Sequence, residues 1–405
     1  MQDWCAPEHD PLVLVGGAGA TLWDADGRAY IDGNSSIWTN LHGHRHPKID
    51  AAIRAQLDRV AHTSFLGFTN PPAAQLAQEL IELWPPDTLT RVFFSDNGST
   101  AIEVALKMAA QYWQLVGQPH RRRFVAFTDA YHGDTMGASS LGGIGAFHER
   151  FAGWQFPVTH VASLEALHQL EPGDLAAVVI EPLIQGAAGM RLWPTGMLRE
   201  LRAWCDAHEV LLIADEVMTG FGRTGRMFAC EHEGVIPDFV ALAKGLTGGY
   251  LPLAATLTTA KIFNAFLGGP ERTLYYGHSY TGNQLGCAAA LANLAIFRDE
   301  RVLEQLAAKI ALLGELLAPL RSHPNVREVR QCGFIAGIEI QQAPGVAFPP
   351  ERLTGSRVCL AARAEGLLTR PIRDVVVLMP PFCISESELR RAVTALLGAV
   401  DQSAK

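Results

Sequence analysis

Five short apolar runs alternate with longer helical patterns in the middle of this chain, and that alternation constrains the fold more than any other feature. Each run has the length of a buried strand, and each connection is long enough to hold a helix. Strands that alternate with helices in this way predict an α/β domain with a mainly parallel central sheet. The runs are residues 92–94, 124–127, 177–180, 210–214 and 239–242.

Helices are predicted between and after these strands. Beginning at Ala101, apolar residues recur on one helical face, and two further helices are predicted at residues 285–297 and 302–320. Before the first strand, residues 12–31 alternate apolar residues with Gly and Asp turns, which predicts a small antiparallel hairpin.

The pattern changes again after Pro324, where short strands such as residues 334–340 and one or two helices predict a separate α+β lobe. A chain of 405 residues is long enough for two or three structural units. We therefore expect a hairpin segment at 1–45 that contributes to the small lobe, a large cofactor-binding domain at 46–300, and a small C-terminal domain at 301–405.

Composition excludes several classes of protein. The net charge of −8 argues against nucleic acid as the main partner, and residues 120–123, the one basic cluster, are interpreted as a solvated loop. No apolar run reaches the roughly 18 residues that a membrane span needs. The seven cysteines are scattered singly, without a CxxC pair, and residues 1–8 lack a signal pattern. We expect a cytoplasmic enzyme with no metal, membrane or nucleic-acid partner.

Two polar loops that follow predicted strands have the composition of ligand-binding loops. In residues 95–100, Gly98 lets an anion approach the free N–H groups of a helix start, although an ordinary N-cap is the alternative. Residues 129–135 follow the next strand, at the sheet edge where ligands of open α/β sheets bind. Tyr131 in that loop would lie on a planar cofactor, or else serve only in packing.

Charged residues close two further strands. Asp215 ends a buried strand, where it needs a partner such as a protonated pyridine nitrogen. Magnesium is the alternative, since Glu216 and Glu181 could add carboxylates. Lys244 ends the last strand, and apolar neighbours lower the pKa of such a lysine, as Schiff-base chemistry requires. The alternative is a lysine that extends to solvent. Together, the four strand ends favour one cofactor site.

The run from Asp215 to Gly225, DEVMTGFGRTG, with Lys244 placed 29 residues after Asp215 (244 − 215), resembles class III aminotransferases. The similarity extends over about residues 11–382. It implies PLP fold type I, the aspartate aminotransferase-like fold, with pyridoxal 5′-phosphate (PLP) as cofactor. It also implies a homodimer whose subunits share active sites.

The resemblance implies a role for each matching residue. Lys244 would carry PLP as a Schiff base, Asp215 would pair with the pyridine nitrogen, and Tyr131 would stack on the ring as the third catalytic residue. The cofactor would be completed by Val217 against the other ring face, Gly98 and Ser99 at the phosphate, and Ser279 at the phosphate from the neighbouring subunit. The implied substrate-binding residues are Trp38, Asp134, Arg223, Gly277 and Arg370.

Within the class, residues 32–38, 101–108, 111–113, 131–135 and 378–381 resemble the branch that acts in biotin biosynthesis. That likeness implies S-adenosylmethionine as amine donor and 8-amino-7-oxononanoate as acceptor. The chain departs from the branch in its short N-terminus, which lacks a tyrosine, and at three positions: Ile37 replaces a tryptophan, and His278 and Gln284 replace prolines. Two alternatives follow: a related ω-aminotransferase with another donor and acceptor, and a PLP-binding protein without transaminase activity.

Overall fold

The computed structural model describes residues 11–403, so the segment 1–8 and Cys5 lie outside it. The strands are β1 Leu14–Ala18, β2 Thr21–Asp24, β3 Ala29–Asp32, β4 Leu89–Ser95, β5 Arg123–Phe127, β6 Val158–Val161, β7 Leu175–Ile180, β8 Ile184–Gln185, β9 Arg191–Leu192, β10 Leu211–Asp215, β11 Phe239–Leu242, β12 Ala254–Thr259, β13 Val326–Cys332, β14 Ile335–Ile340, β15 Leu367–Leu368, β16 Pro371–Ile372 and β17 Val375–Leu378.

The helices connect and cover these strands. The longer ones are Pro47–Leu57, Pro71–Glu82, Gly98–Leu115, Met197–Ala207, Gln284–Asp299, Val302–Leu316, Thr354–Ala364 and Glu386–Ser403. Shorter helices lie at Met136–Ser140, Gly145–His148, Leu164–His168, Ala260–Ala265 and Ala318–Arg321. The predicted helix at 302–320 is therefore two helices, because Pro319 cannot supply the N–H that a continuous helix needs.

A seven-stranded sheet forms the centre of the molecule, in the order β4-β12-β11-β10-β7-β5-β6. All five predicted strands belong to it. They run in one direction with β6, and only β12 is antiparallel to its neighbours. The prediction of a mainly parallel sheet in an α/β fold is thus confirmed, with two strands, β6 and β12, that the sequence analysis missed.

Both faces of this sheet are buried, as parallel sheets with helical crossovers require. Alternate residues of β10 divide between two apolar clusters: Leu211 and Ile213 pack on one face, Leu212 and Ala214 on the other. The helix Gly98–Leu115 covers the first face. It begins at a capping box in which the Asn97 side chain accepts from the Thr100 N–H.

The N-terminal segment forms three strands rather than the predicted two-stranded hairpin. Strands β1, β2 and β3 form an antiparallel meander, and β15 from the C-terminal segment adds a parallel fourth strand to it. A second small sheet, β13-β14-β17-β16, is antiparallel. The division into 1–45, 46–300 and 301–405 remains a prediction; the pairing of β3 with β15 is the contact that its first and third segments would need.

A left-handed turn follows β3. Residues Ser35–Trp38 have φ values of 45°, 51°, 79° and 67°, although none is glycine. Such a conformation costs roughly 1–2 kcal/mol per residue for L-amino acids, so the surrounding contacts must hold it.

Within residues 11–403, no helix is both long enough and apolar enough to cross a membrane.

Candidate active site

A cavity opens where the carboxyl ends of the parallel strands meet. Its wall includes seven of the predicted site residues: Trp38, Gly98, Ser99, Tyr131, Asp215, Val217 and Lys244. They come from four segments at the same sheet edge, those of Gly98 and Ser99, of Tyr131, of Asp215 and Val217, and of Lys244, and from the left-handed turn. This convergence is what the order of the strands predicts for an open α/β sheet.

One end of the cavity has the form of an anion cradle. Gly98 and Ser99 open the helix Gly98–Leu115, whose N-terminus carries free amides and the positive end of the dipole. A side chain at position 98 would have its Cβ 2.7 Å from a Val217 methyl, so glycine keeps this approach open. The capping bond of Asn97 goes to Thr100, so capping and anion binding are compatible here.

Asp215 ends β10 with both carboxylate oxygens partnered. Its Oδ2 lies 2.8 Å from Nδ1 of His132, and its Oδ1 accepts from the Val217 N–H at 3.0 Å. Burial alone would lower the pKa of His132, but the hydrogen bond and the charge of Asp215 raise it overall. His132 therefore supplies a buried hydrogen-bond partner that holds the Asp215 carboxylate in place.

The consecutive carboxylates of Asp215 and Glu216 have separate sets of hydrogen-bond partners. Glu216 accepts from Thr219 Oγ1 and from the backbone N–H groups of Ala229 and Cys230, at 2.5 to 3.0 Å, away from the Asp215 contacts. Among residues 11–403, no group of three or more His, Cys, Asp or Glu side chains is arranged to hold a metal ion. The geometry therefore favours the pyridine partner for Asp215 over the magnesium alternative.

Glu181 is a second buried carboxyl in the cavity wall. It accepts from the backbone N–H groups of Tyr131 at 3.2 Å and Gly186 at 2.9 Å. Burial raises its pKa to about 7, while the charge of His132 opposes that rise. From the sequence, Glu181 is predicted only as a possible metal ligand; in the structure its carboxyl holds the Tyr131 loop.

Lys244 follows β11 with a positive φ of 44°, which turns its side chain into the cavity. Burial lowers the pKa of its ammonium, and the carboxylates of Asp215 and Glu181 partly oppose this shift. The Nζ atom lies 4.8 Å from the centre of the Trp38 ring. A lysine with a lowered pKa is a better nucleophile at neutral pH.

Tyr131 and Asp134 form a pair at the cavity rim. The Tyr131 hydroxyl donates to Asp134 Oδ2 at 2.9 Å, and the Phe147 and His148 rings lie 5.9 and 6.1 Å from the Tyr131 ring. Burial raises the pKa of Tyr131, and Asp134 adds to the rise. Asp134 thus orients Tyr131 through this hydrogen bond and does not itself line the cavity with the seven residues above.

Arg223 is not part of the cavity wall, although the resemblance implied that it contacts the substrate. Its side chain is fully buried, one N–H group donates to Pro380 O at 2.8 Å, and another donates to Asn40 O at 3.4 Å. Its guanidinium also lies over the Phe382 ring. These contacts join the C-terminal lobe to the segment after the left-handed turn, so Arg223 supports the cavity from outside.

Three more predicted residues lie beyond the cavity wall. Arg370 is half-buried and close enough for its charge to lower the pKa of Lys244. Gly277 and Ser279 are exposed in a segment without regular structure, where Ser279 O accepts from His62 Nε2 at 2.6 Å. A contribution of Ser279 to a neighbouring subunit's site remains a prediction.

Residues 247 and 249–253 complete the cavity wall and escaped the sequence analysis. Gly249 has a φ of +86° and a Cβ there would meet the Asn40 side chain at 1.9 Å, so only glycine fits. The glycine pair after Lys244 was the available signal for this segment.

A family model for class III aminotransferases matches residues 4–400, and the chain therefore belongs to the class III aminotransferase family. Enzymes of this class use PLP. At 49% identity the chain is similar to an adenosylmethionine-8-amino-7-oxononanoate aminotransferase from Nitratidesulfovibrio vulgaris, over 99% of this chain and 78% of that one.

Solved structures give the same result. The crystal structure of adenosylmethionine-8-amino-7-oxononanoate aminotransferase from Methanocaldococcus jannaschii is similar with a TM-score of 0.95 at 40% identity, covering 98% of this chain and 94% of that one. A PLP-bound amine transaminase from an uncultivated Pseudomonas species has a TM-score of 0.92 at 34% identity, covering 98% and 96%. The fold is therefore that of PLP fold type I transaminases.

Proposed function

We propose that this aminotransferase moves an amino group from S-adenosylmethionine to 8-amino-7-oxononanoate, giving 7,8-diaminononanoate in biotin biosynthesis. The observation that supports this choice of substrates is the similarity of nearly the whole chain, at 45–49% identity, to relatives named for that reaction. A cytoplasmic homodimer with shared active sites completes the proposal.

The residues of the cavity fit PLP as they stand. Gly98 and Ser99 would bind its phosphate, and Tyr131 and Val217 would contact its two ring faces. Asp215, held in place by its hydrogen bond with His132, would pair with the ring nitrogen. Among residues 11–403, Lys244 is the one side-chain amine in the cavity wall, and it would attach the cofactor aldehyde.

Bound PLP supplies an electron sink that stabilises negative charge on the amine carbon. The protein supplies the proton transfers. The Nζ atom of Lys244, once free, would take the proton from the donor carbon and later return one, acting as base and then as acid. The Trp38 ring lies over this amine, with its centre 4.8 Å from Nζ. Arg370 would orient the acceptor through a two-point contact with its carboxylate.

The first experiment is a visible absorption spectrum of the PLP-loaded protein before and after addition of S-adenosylmethionine. We expect the band of the lysine-bound cofactor to disappear, and to return when 8-amino-7-oxononanoate is added. A band that ignores S-adenosylmethionine but responds to lysine or another amine would retain the aminotransferase and reject the donor.

A related ω-aminotransferase activity is the second candidate. It is favoured by Ile37, which is 50% exposed where the branch usually has a tryptophan, and by the similarity to the amine transaminase described above. A panel of amine donors with a common keto acceptor separates the two functions, because only the biotin-pathway enzyme should prefer S-adenosylmethionine.

A further inference from the structure

The left-handed turn Ser35–Trp38 follows the N-terminal meander and brings the Trp38 side chain next to Lys244, the proposed cofactor lysine. Its last residue, Trp38, is buried at the cavity wall with its ring 4.8 Å from Lys244 Nζ. Its third residue, Ile37, is exposed and leaves the turn without apolar anchorage at that point. Polar contacts must therefore hold the unfavourable backbone in place.

The carboxylate of Asp32 makes most of these contacts. It is 2% exposed, and its Oδ1 accepts from the N–H groups of Ser36 at 3.1 Å and Asn34 at 3.3 Å. Its Oδ2 accepts from the Ser36 hydroxyl at 3.0 Å and lies 2.9 Å from His44 Nε2. Four donors thus converge on one buried carboxylate beside the strained residues.

His44 is itself oriented for this contact. Its Nδ1 lies 2.9 Å from the Asn40 amide nitrogen, which can only donate. Because Nδ1 accepts from that amide, Nε2 is the ring nitrogen that donates to Asp32. The first residue of the turn has its own contact, since Ser35 Oγ donates to Met379 O at 2.7 Å.

The indole is fixed from the same side. Trp38 Nε1 donates to Asn34 Oδ1 at 2.9 Å, and the Asn34 backbone is one of the groups that Asp32 holds. A continuous chain of contacts therefore runs from Asp32 through the turn to the face of the ring that covers Lys244.

We propose that Asp32 is a positioning residue for the reaction: its carboxylate holds the left-handed turn, and the turn holds the Trp38 ring over the Lys244 amine. The proposal rests on the proposed attachment of PLP at Lys244, and it does not depend on which donor and acceptor the enzyme uses. Asp32 acts through Trp38 and has no contact with the reacting atoms.

Asp24 provides a matched control. It is a buried carboxylate in the same meander, and it accepts from the Arg28 N–H at 2.8 Å, the Asp26 N–H at 3.0 Å and the Tyr30 hydroxyl at 2.7 Å. Asp24→Asn therefore removes a comparable buried charge from the same sheet without touching the turn.

The test measures the rate at which the apoprotein takes up PLP as a function of pH, followed by visible absorbance. The midpoint reports the titration of the Lys244 amine, which is also faced by Asp215 and Glu181 from the sheet edge and by Arg370 and Arg223. The Trp38 ring beside the Lys244 ammonium stabilises the positive charge. Displacing the ring should therefore lower the pKa of the amine, and with it the midpoint, by about 0.5 pH unit.

We expect Asp32→Asn and Trp38→Ala to shift this midpoint equally, and the double variant to shift it no further. Asp24→Asn should keep the wild-type midpoint. Ser36→Ala, which removes one of the four contacts, should give a smaller shift and keeps the test possible if Asp32→Asn does not fold.

A wild-type midpoint in Trp38→Ala or Asp32→Asn, or additive shifts in the double variant, would overturn the proposal. Uptake of PLP that is normal without turnover of S-adenosylmethionine would instead reject only the substrates.

Discussion

His132 Nδ1 lies 2.8 Å from Asp215 Oδ2, and the imidazole that makes this contact is completely buried. The other oxygen of Asp215 is taken by the Val217 N–H, so the carboxylate cannot rotate without losing a bond. His132 lies in a loop and Asp215 at the end of β10, and 83 positions of sequence separate them. Its geometry fixes the carboxylate before any cofactor binds.

Replacement of His132 by Phe should weaken catalysis through Asp215. The ring volume is retained, but the charged hydrogen bond, worth about 1.5–3 kcal/mol, is lost. We expect kcat to fall by roughly tenfold or more. His160→Phe, at an exposed histidine, is the control and should be close to wild type. Unchanged kcat in His132→Phe would show that Asp215 needs no orienting partner.

Lys244→Ala should abolish transamination, because both cofactor attachment and proton transfer depend on this amine. A loss of at least about 10³-fold is expected in kcat, together with loss of the visible band of the lysine-bound cofactor. Lys261→Ala removes an exposed lysine and serves as the control. Near-wild-type turnover in Lys244→Ala would refute the assignment.

Glu181 should make folding stability fall as the pH rises. Its folded-state pKa of about 7 lies above the value of 4.5 for an unperturbed glutamate, so the folded protein binds this proton more tightly than the unfolded chain. Its contribution is therefore fully present below about pH 4.5 and is lost as the pH rises through 7, by roughly 3 kcal/mol in total.

Thermal unfolding midpoints between pH 5 and 8 check this prediction. Glu181→Gln should flatten the decrease, whereas Glu351→Gln, at an exposed position, should leave the wild-type slope. An equal slope in wild type and Glu181→Gln would mean that the buried carboxyl does not titrate in this range.

Arg370→Ala should raise KM for the keto acceptor far more than KM for the donor, since a lost two-point contact to a carboxylate affects only the substrate that carries it there. Arg370→Lys should recover part of the loss. Arg357→Ala, an exposed arginine of the same lobe, is the control. Equal increases for both substrates would indicate that Arg370 acts only in packing.

Subunit mixing tests the contribution of Ser279 in trans. If Ser279 acts in trans, one of the two sites in a hybrid of Lys244→Ala and Ser279→Ala chains combines wild-type Lys244 with wild-type Ser279. We expect that hybrid to bind PLP at one site per dimer with wild-type affinity. If Ser279 acts in cis, the only lysine-containing site in the hybrid also carries the Ser279→Ala change and binds PLP weakly.

The sequence predicted the strands that carry the site because each is a continuous apolar run with a distinctive polar residue at its end. Strand β12 was missed because three of its six residues are threonines. Two of them are nevertheless buried, since Thr256 Oγ1 donates to Ala101 O and Thr258 Oγ1 donates to Asp238 O. Hydroxyl groups satisfied by distant carbonyls leave no local hydrophobic pattern.

The left-handed turn and the role of Arg223 could not be predicted for a related reason. The turn contains no glycine, so nothing in its own residues indicates positive φ. Its conformation depends on Asp32, His44 and the carbonyl of Met379, which is 344 residues away from Ser35. Likewise the acceptors of Arg223 come from two distant segments of the chain.

The parallel pairing of β3 with β15 also determines when the site can be completed. Leu367 pairs with Ile31 across 336 residues (367 − 31), so the meander has no fourth strand until nearly the whole chain has left the ribosome. The large sheet, with Asp215 and Lys244, can form earlier from contacts that are closer in sequence. The contacts that tie the Trp38 turn to the C-terminal segment, the β3–β15 pairing and the Ser35–Met379 hydrogen bond, therefore become available only after every strand of the large sheet has been synthesised.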